Sequence, residues 1–200
     1  MAIGHGASAI GLVSEMPSGP GVIPEALITE IAAHAPASVR TFLLTSRTSV
    51  DGIVEQQRRT GVNTIQICDD LAPGAHRDLK AALPGVSLVQ VIHVDGEEAL
   101  DRAAAVAASV DAILLDSGNQ KLAVKELGGT GRRHDWTISR RIRETVAIPL
   151  YLAGGLRADN VAEAIATVAP FGLDVCSGVR VQGRLDADRL ERFFAAVRSA

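Results

Sequence analysis

Seven short apolar runs recur along the chain, each suited to a strand buried on both faces. They are Ala9–Val13, Val39–Leu44, Thr64–Cys68, Leu88–Ile92, Ala112–Leu115, Pro149–Ala153 and Leu173–Cys176. Stretches with helical periodicity separate them. Pro24–His34 opens with Pro at the first helical position and Glu beside it. Val50–Thr60 stops at Gly61, Ala75–Leu83 stops at Pro84-Gly85, and Glu97–Ala108 carries its acids at the front. Thr137–Val146, Asp159–Val168 and Asp186–Val197 complete the set, and Gly4–Gly6 reads as a helix end capped by Gly6.

Strand and helix alternate at a spacing of about 24 residues, which demands a parallel sheet because parallel strands need a crossover element. The short repeat and the lack of a composition break predict one α/β domain over residues 1–200, closed as a TIM-type (β/α)8 barrel rather than an open sheet. Such barrels are typically about 250 residues long, and seven βα units are recognisable here. The helix ending at Gly6 has no strand before it, so the expectation is a barrel lacking its first strand. One connection breaks the rhythm: 117–136 is a long loop, and loops of that length are usually functional.

Composition narrows the partners. Apolar residues make up 47% and charged residues 22%, enough for a sizeable core, while aromatics are only 3%. A net charge of −3 and few rings to stack on bases argue against nucleic acid. Cys68 and Cys176 are too few for a disulfide framework, and no Cys/His cluster suggests zinc. No apolar run reaches the roughly 18 residues of a membrane span, and the first residues lack the pattern of a signal peptide. The expectation is a soluble cytoplasmic protein with no metal, no nucleic acid and no membrane partner.

A barrel places its active site at the C-terminal ends of its strands. Those ends carry Asp69, His93, Asp116, Gly154-Gly155 and Ser177-Gly178. Small residues at the last two strand ends let backbone N–H groups approach an anion, at the usual phosphate site of these barrels. Either pair alone also fits an ordinary turn; the two together point to phosphate. Asp116 ends an apolar run, where partial loss of water raises a carboxyl pKa and suits it to general-acid work, although a loop or capping Asp fits the same position. Asp174, inside the last predicted strand, should face the pocket or a basic partner. In the long loop, Gly128-Gly129-Thr130-Gly131 followed by Arg132-Arg133 could close over an anion or form a mobile surface loop. His5, His34 and His76 read as unpartnered surface residues, and Arg140–Glu144 as a solvated helix face.

Together, Leu114-Leu115-Asp116-Ser117, Gly128-Gly129-Thr130-Gly131 with Asp135-Trp136, Leu152-Ala153-Gly154-Gly155-Leu156 with Asn160-Val161, and Asp174-Val175-Cys176-Ser177-Gly178-Val179 resemble the phosphoribosylanthranilate isomerases of tryptophan biosynthesis. Order and spacing agree over residues 110–198, with weaker similarity through Gly61–Gln66 and back to Gly6-Ala7. The resemblance implies an Amadori rearrangement of a phosphoribosylated aminobenzoate, from aminoaldose to aminoketose, without metal or cofactor. It implies Asp116 as the acid that opens the ribose ring. Phosphate would lie on Gly154, Gly155, Ser177 and Gly178, with Gly129 from the long loop and Asp174 orienting the sugar.

Three departures fall in the N-terminal half. The family's base, a Cys on the first strand in a Lys-Ile/Val-Cys-Gly motif, does not occur. Its Ser-Pro-Arg, whose Arg meets the ring carboxylate, is replaced by Ser18-Gly19-Pro20-Gly21-Val22. Its Gln-Leu-His-Gly becomes Gln66-Ile67-Cys68-Asp69. Either the first strand lies upstream of Met1, or the chain is a seven-stranded divergent member whose exposed edges would pair with another chain. Cys176 shares the side-chain parity of Asp174 and could act as a substitute base, or be a small buried Cys. Two further readings follow: a non-catalytic phosphosugar-binding module, or an isomerase for a different sugar phosphate.

Overall fold

The computed structural model describes residues 1–200, all in one curled α/β layer. Seven parallel strands lie in chain order: β1 Ala9–Val13, β2 Arg40–Thr45, β3 Thr64–Ile67, β4 Ser87–His93, β5 Ala112–Asp116, β6 Leu150–Leu152 and β7 Gly172–Leu173. The helices between and after them are α1 Glu25–His34, α2 Val50–Thr60, α3 Ala75–Ala82, α4 Glu98–Ala107, α5 Trp136–Thr145, α6 Val161–Val168 and α7 Ala187–Arg198. Every predicted element is present, with ends shifted by at most three residues. The ladder runs from β1 to β7, and those two strands do not pair with each other. The molecule is therefore a barrel wall open along one seam.

Local chemistry explains the boundaries. Ser49 caps α2 by accepting from the Gly52 N–H, and Gly61 ends that helix in the left-handed conformation with φ 68°. Asp135 caps α5 and Asp186 caps α7 in the same way. Gly6 follows a short 3-10 helix, Ala2–His5, with φ 108°, as the cap reading required. Side chains alternate along the strands. Ile65, Ile67, Leu88, Ile92, Ile113, Leu115, Leu150 and Leu152 face outward and form the large core beneath the helices. Phe42, Cys68, Val89, Val91, Ala112, Leu114 and Ala153 face inward and fill the lumen, closed above by Leu127. At roughly 25 cal/mol per Å² of apolar surface removed from water, these two layers dominate the stability of the fold.

The structure corrects the sequence reading in several places. The last strand is only two residues long, so Asp174 and Cys176 lie beyond it, in the connection that follows. A short 3-10 turn at Ser177–Val179 and a two-stranded ribbon, β8 Arg180–Val181 and β9 Arg184–Leu185, fill that connection. Periodicity cannot reveal a ribbon of two-residue strands. None of the three histidines expected to lack partners does so: His76 Nε2 lies 2.7 Å from Gln90 Oε1, His34 Nδ1 2.8 Å from the Glu30 carbonyl oxygen and His5 Nδ1 3.1 Å from the Met1 carbonyl oxygen.

Candidate functional site

Asp116 is the last residue of β5, and inward parity carries its carboxyl to the centre of the mouth, where it is 8% exposed. Its Oδ1 accepts from the Ser117 backbone N–H at 2.7 Å. Glycines from two other segments close around it. A Cβ at Gly128 would stand 2.6 Å from Asp116 Oδ2, and one at Gly154 would stand 3.2 Å from Oδ1. Both glycines have positive φ, 128° and 83°. No other residue combines that conformation with so close an approach.

The long connection 117–135 lies across the mouth as a strap. Asn119 and Glu126 exchange backbone hydrogen bonds of 2.8 and 3.0 Å, so its first part is a small antiparallel ladder. Its second part packs on the ends of β6 and β7. A Cβ at Gly155 would meet the Arg132 carbonyl carbon and oxygen at 2.8 and 2.9 Å, and one at Gly131 would meet Ser177 Oγ at 3.3 Å. A Cβ at Gly178 would collide with the Leu156 carbonyl oxygen. Gly129 lies against Pro20, where a Cβ would stand 2.7 Å from its Cδ. The glycines at this rim thus serve the close approach of backbone to backbone. Asn160 holds the Gly154-Gly155 turn from behind, donating from Nδ2 to the Gly155 carbonyl at 3.0 Å.

The electrostatics of the rim follow from burial and like charge. Surrounding atoms and the nearby Asp116 carboxylate push the Asp174 carboxyl up to about 6. Its side chain keeps solvent contact along the open seam, and no basic partner meets it. Burial, then Asp116 and Asp174, push the lumen-facing Cys68 thiol far up, which locates all three groups around one space. Burial also raises Cys176, opposed by Arg180 and reinforced by Asp174, so its thiol is protonated at neutral pH. His93 faces the mouth but is buried, with Nε2 3.0 Å from the Cys68 carbonyl oxygen.

One rim residue carried no sequence signal. His134 is 8% exposed, its Nε2 is 2.8 Å from Ser139 Oγ, and its Nδ1 has no partner. That Nδ1 would lie 3.0 Å from a Gly154 Cβ, beside Asp116. Burial pushes the ring pKa down to about 4, keeping it neutral. A lone His next to Arg133 reads as loop surface until the strap folds back. No group of three His, Cys, Asp or Glu side chains lies close enough to hold a metal ion.

A carboxyl at the centre of a barrel mouth, glycines gathered around it beyond β6 and β7, and a strap across both define an enzyme-type α/β barrel. The family model described as N-(5'-phosphoribosyl)anthranilate (PRA) isomerase matches residues 27–196. The chain belongs to that family. It is 40% identical over 197 residues to the N-(5'-phosphoribosyl)anthranilate isomerase of Haloferax volcanii, covering 98% of this chain and 85% of the relative. The solved phosphoribosyl anthranilate isomerase of Thermococcus kodakaraensis superposes with a TM-score of 0.80 at 30% identity, covering 100% of this chain and 92% of that one. A further solved isomerase, in complex with reduced 1-(o-carboxyphenylamino)-1-deoxyribulose 5-phosphate, superposes with a TM-score of 0.81 over 100% of this chain and 91% of that one. At 23% identity it bears on the fold alone.

Proposed function

We propose that this protein converts N-(5'-phosphoribosyl)anthranilate to 1-(2-carboxyphenylamino)-1-deoxyribulose 5-phosphate. The observation that carries the reading is the placement of Asp116: one carboxyl, clasped by Gly128 and Gly154, beside the cradle of Gly154, Gly155, Ser177 and Gly178. Phosphate on that cradle, with Gly129 above it, brings the ribose of the substrate over the mouth. Asp116 donates its proton to the ring oxygen as the bond from that oxygen to C1 breaks, and the nitrogen lone pair forms the C1–N double bond. Loss of the C2 proton then gives the enol-amine, and protonation at C1 with loss of the C2 hydroxyl proton gives the ketone. Protons and electrons balance without oxidant or metal.

Asp174, across the mouth, suits hydrogen bonding to the sugar hydroxyls. On this rim the Cys176 thiol is held protonated, so the C2 proton is not assigned to it. The partner class is a phosphorylated sugar, and the unpaired edges of β1 and β7 support self-association. No helix is long and apolar enough to cross a membrane, and an enzyme of amino-acid biosynthesis is expected to act in the cytoplasm.

The test is loss of aminobenzoate fluorescence when the protein meets the phosphorylated substrate and, separately, its dephosphorylated form. Turnover of the first with little turnover of the second supports the reading. Binding of the phosphorylated substrate without turnover would leave a phosphosugar-binding module instead.

A further inference from the structure

Across the mouth from the glycine cradle, one carboxylate holds the strap. Asp69 lies just beyond β3 and is 7% exposed, and a charge so buried must be paired. Its Oδ2 accepts from Lys125 Nζ at 2.7 Å. Its Oδ1 accepts from Lys125 Nζ at 3.0 Å, from Gln120 Nε2 at 2.9 Å and from the Asp70 N–H at 2.9 Å. Gln120 and Lys125 are the residues next to the strap's Asn119–Glu126 bridge. The Lys125 carbonyl also accepts from Ser18 Oγ at 2.7 Å. Two residues further on, Leu127 plugs the lumen, and Gly128 follows against Asp116.

The other ties of the strap's first part are weaker, while its second part is held by the Ser117–Thr130 hydroxyl pair at 2.7 Å and by Arg133 on Glu163 at 2.7 Å. Lys121 reaches Asp95 at 3.0 Å with its side chain 68% exposed, a kind of pair that contributes little. Glu126 pairs with Arg132 inside the strap itself, while Leu122 and Val124 are exposed. A cavity of about 450 Å³ borders Asp69 and Lys125, with Glu15, Met16, Ser46 and Arg47 on its other side. Released from Asp69, the strap has room to move there.

We infer that Asp69 is a positioning residue of the reaction: through Lys125 and Gln120 it holds the strap shut, which sets Gly128 against Asp116 and keeps water from the reacting ribose. The inference rests on the isomerase reading. Lids of this kind gate substrate entry and commit the bound substrate to reaction.

The experiment compares the parent with Asp69→Asn, Lys125→Met and the double variant. Amide hydrogen exchange over residues 119–131 is read beside kcat and KM. Either single change is expected to speed exchange in that segment and nowhere else, and to lower kcat by about a hundredfold, the scale of a displacement near 1 Å, while KM does not follow. The double variant should be no worse than either single one, and Lys125→Arg should restore most of the rate. Unchanged exchange over 119–131 in Lys125→Met, whose exposed side chain can be shortened without unfolding the core, would overturn the inference. So would faster exchange with kcat intact. If the parent itself shows no turnover, the isomerase reading falls, and the exchange data still decide whether Asp69 holds the strap.

Discussion

Along the β5–β7 side of the mouth, Asp116 is bounded by glycines and one neutral histidine, and backbone approaches backbone at Gly155 and Gly178. Along the β1–β3 side, Asp69, Lys125, Arg47 and Glu25 make the contacts, through long side chains. The first side is fixed by where the chain can go, and any added atom must displace backbone. The second is fixed by pairs whose members can rotate, relax or be replaced. The site proposed for phosphate and proton transfer sits on the rigid side; the adjustable side carries the pair proposed to hold the strap.

The largest expected effect breaks the rigid side chemically. Asp116→Asn keeps the shape of the carboxyl but cannot deliver a proton, so kcat should fall by about 10²–10⁴ with the melting temperature nearly unchanged. Initial rates and a thermal melt check both halves. Next comes Gly178→Ala, whose methyl meets the Leu156 carbonyl oxygen. It should cost roughly 3 kcal/mol of stability in urea unfolding, the upper range for overpacking.

The third effect is a pH dependence. His134 titrates near 4 in the folded protein and at 6.5 when exposed. Its folded pKa is depressed, so acid favours the unfolded chain: full stability holds above about 6.5 and is lost as pH falls toward 4. His134→Phe should therefore lose about 2 kcal/mol less than the parent between pH 7.5 and pH 5. Urea midpoints at the two pH values give the difference. Asp174, raised to about 6, works in the opposite sense over part of the same window, and its own replacement by Asn isolates that share. The smallest effect is on the adjustable side. Arg47→Ala removes an exposed pair with Glu25 at 3.5 Å and should change stability by about 0.5 kcal/mol or less. A loss several times larger would mean that this side is as rigid as the other.

The same contrast explains how much could be read from the sequence. Strands and helices followed from apolar runs and from end signals such as Gly6 and Gly61, because these signals are local. Asp116 and the Gly154-Gly155 turn were legible for the same reason, since a residue at a strand end reports a constraint in its own neighbourhood; Ser177-Gly178, expected at a strand end, lies in the 3-10 turn beyond β7. The Asp69–Lys125 pair spans 56 positions and is invisible to any local pattern. His134 became a rim residue only when the strap packed on β6. The last strand was overestimated because Asp174 and Cys176 continue its alternation while the chain has already turned toward Ser177–Val179.

The most direct test of the account follows loss of aminobenzoate fluorescence from phosphoribosylanthranilate side by side for the parent, Asp116→Asn and Gly155→Asp. The account predicts turnover by the parent, a rate at least about a hundredfold lower for Asp116→Asn, and weakened substrate binding for Gly155→Asp, whose side chain must displace the Arg132 backbone beside the cradle. Turnover by Asp116→Asn equal to that of the parent would contradict it.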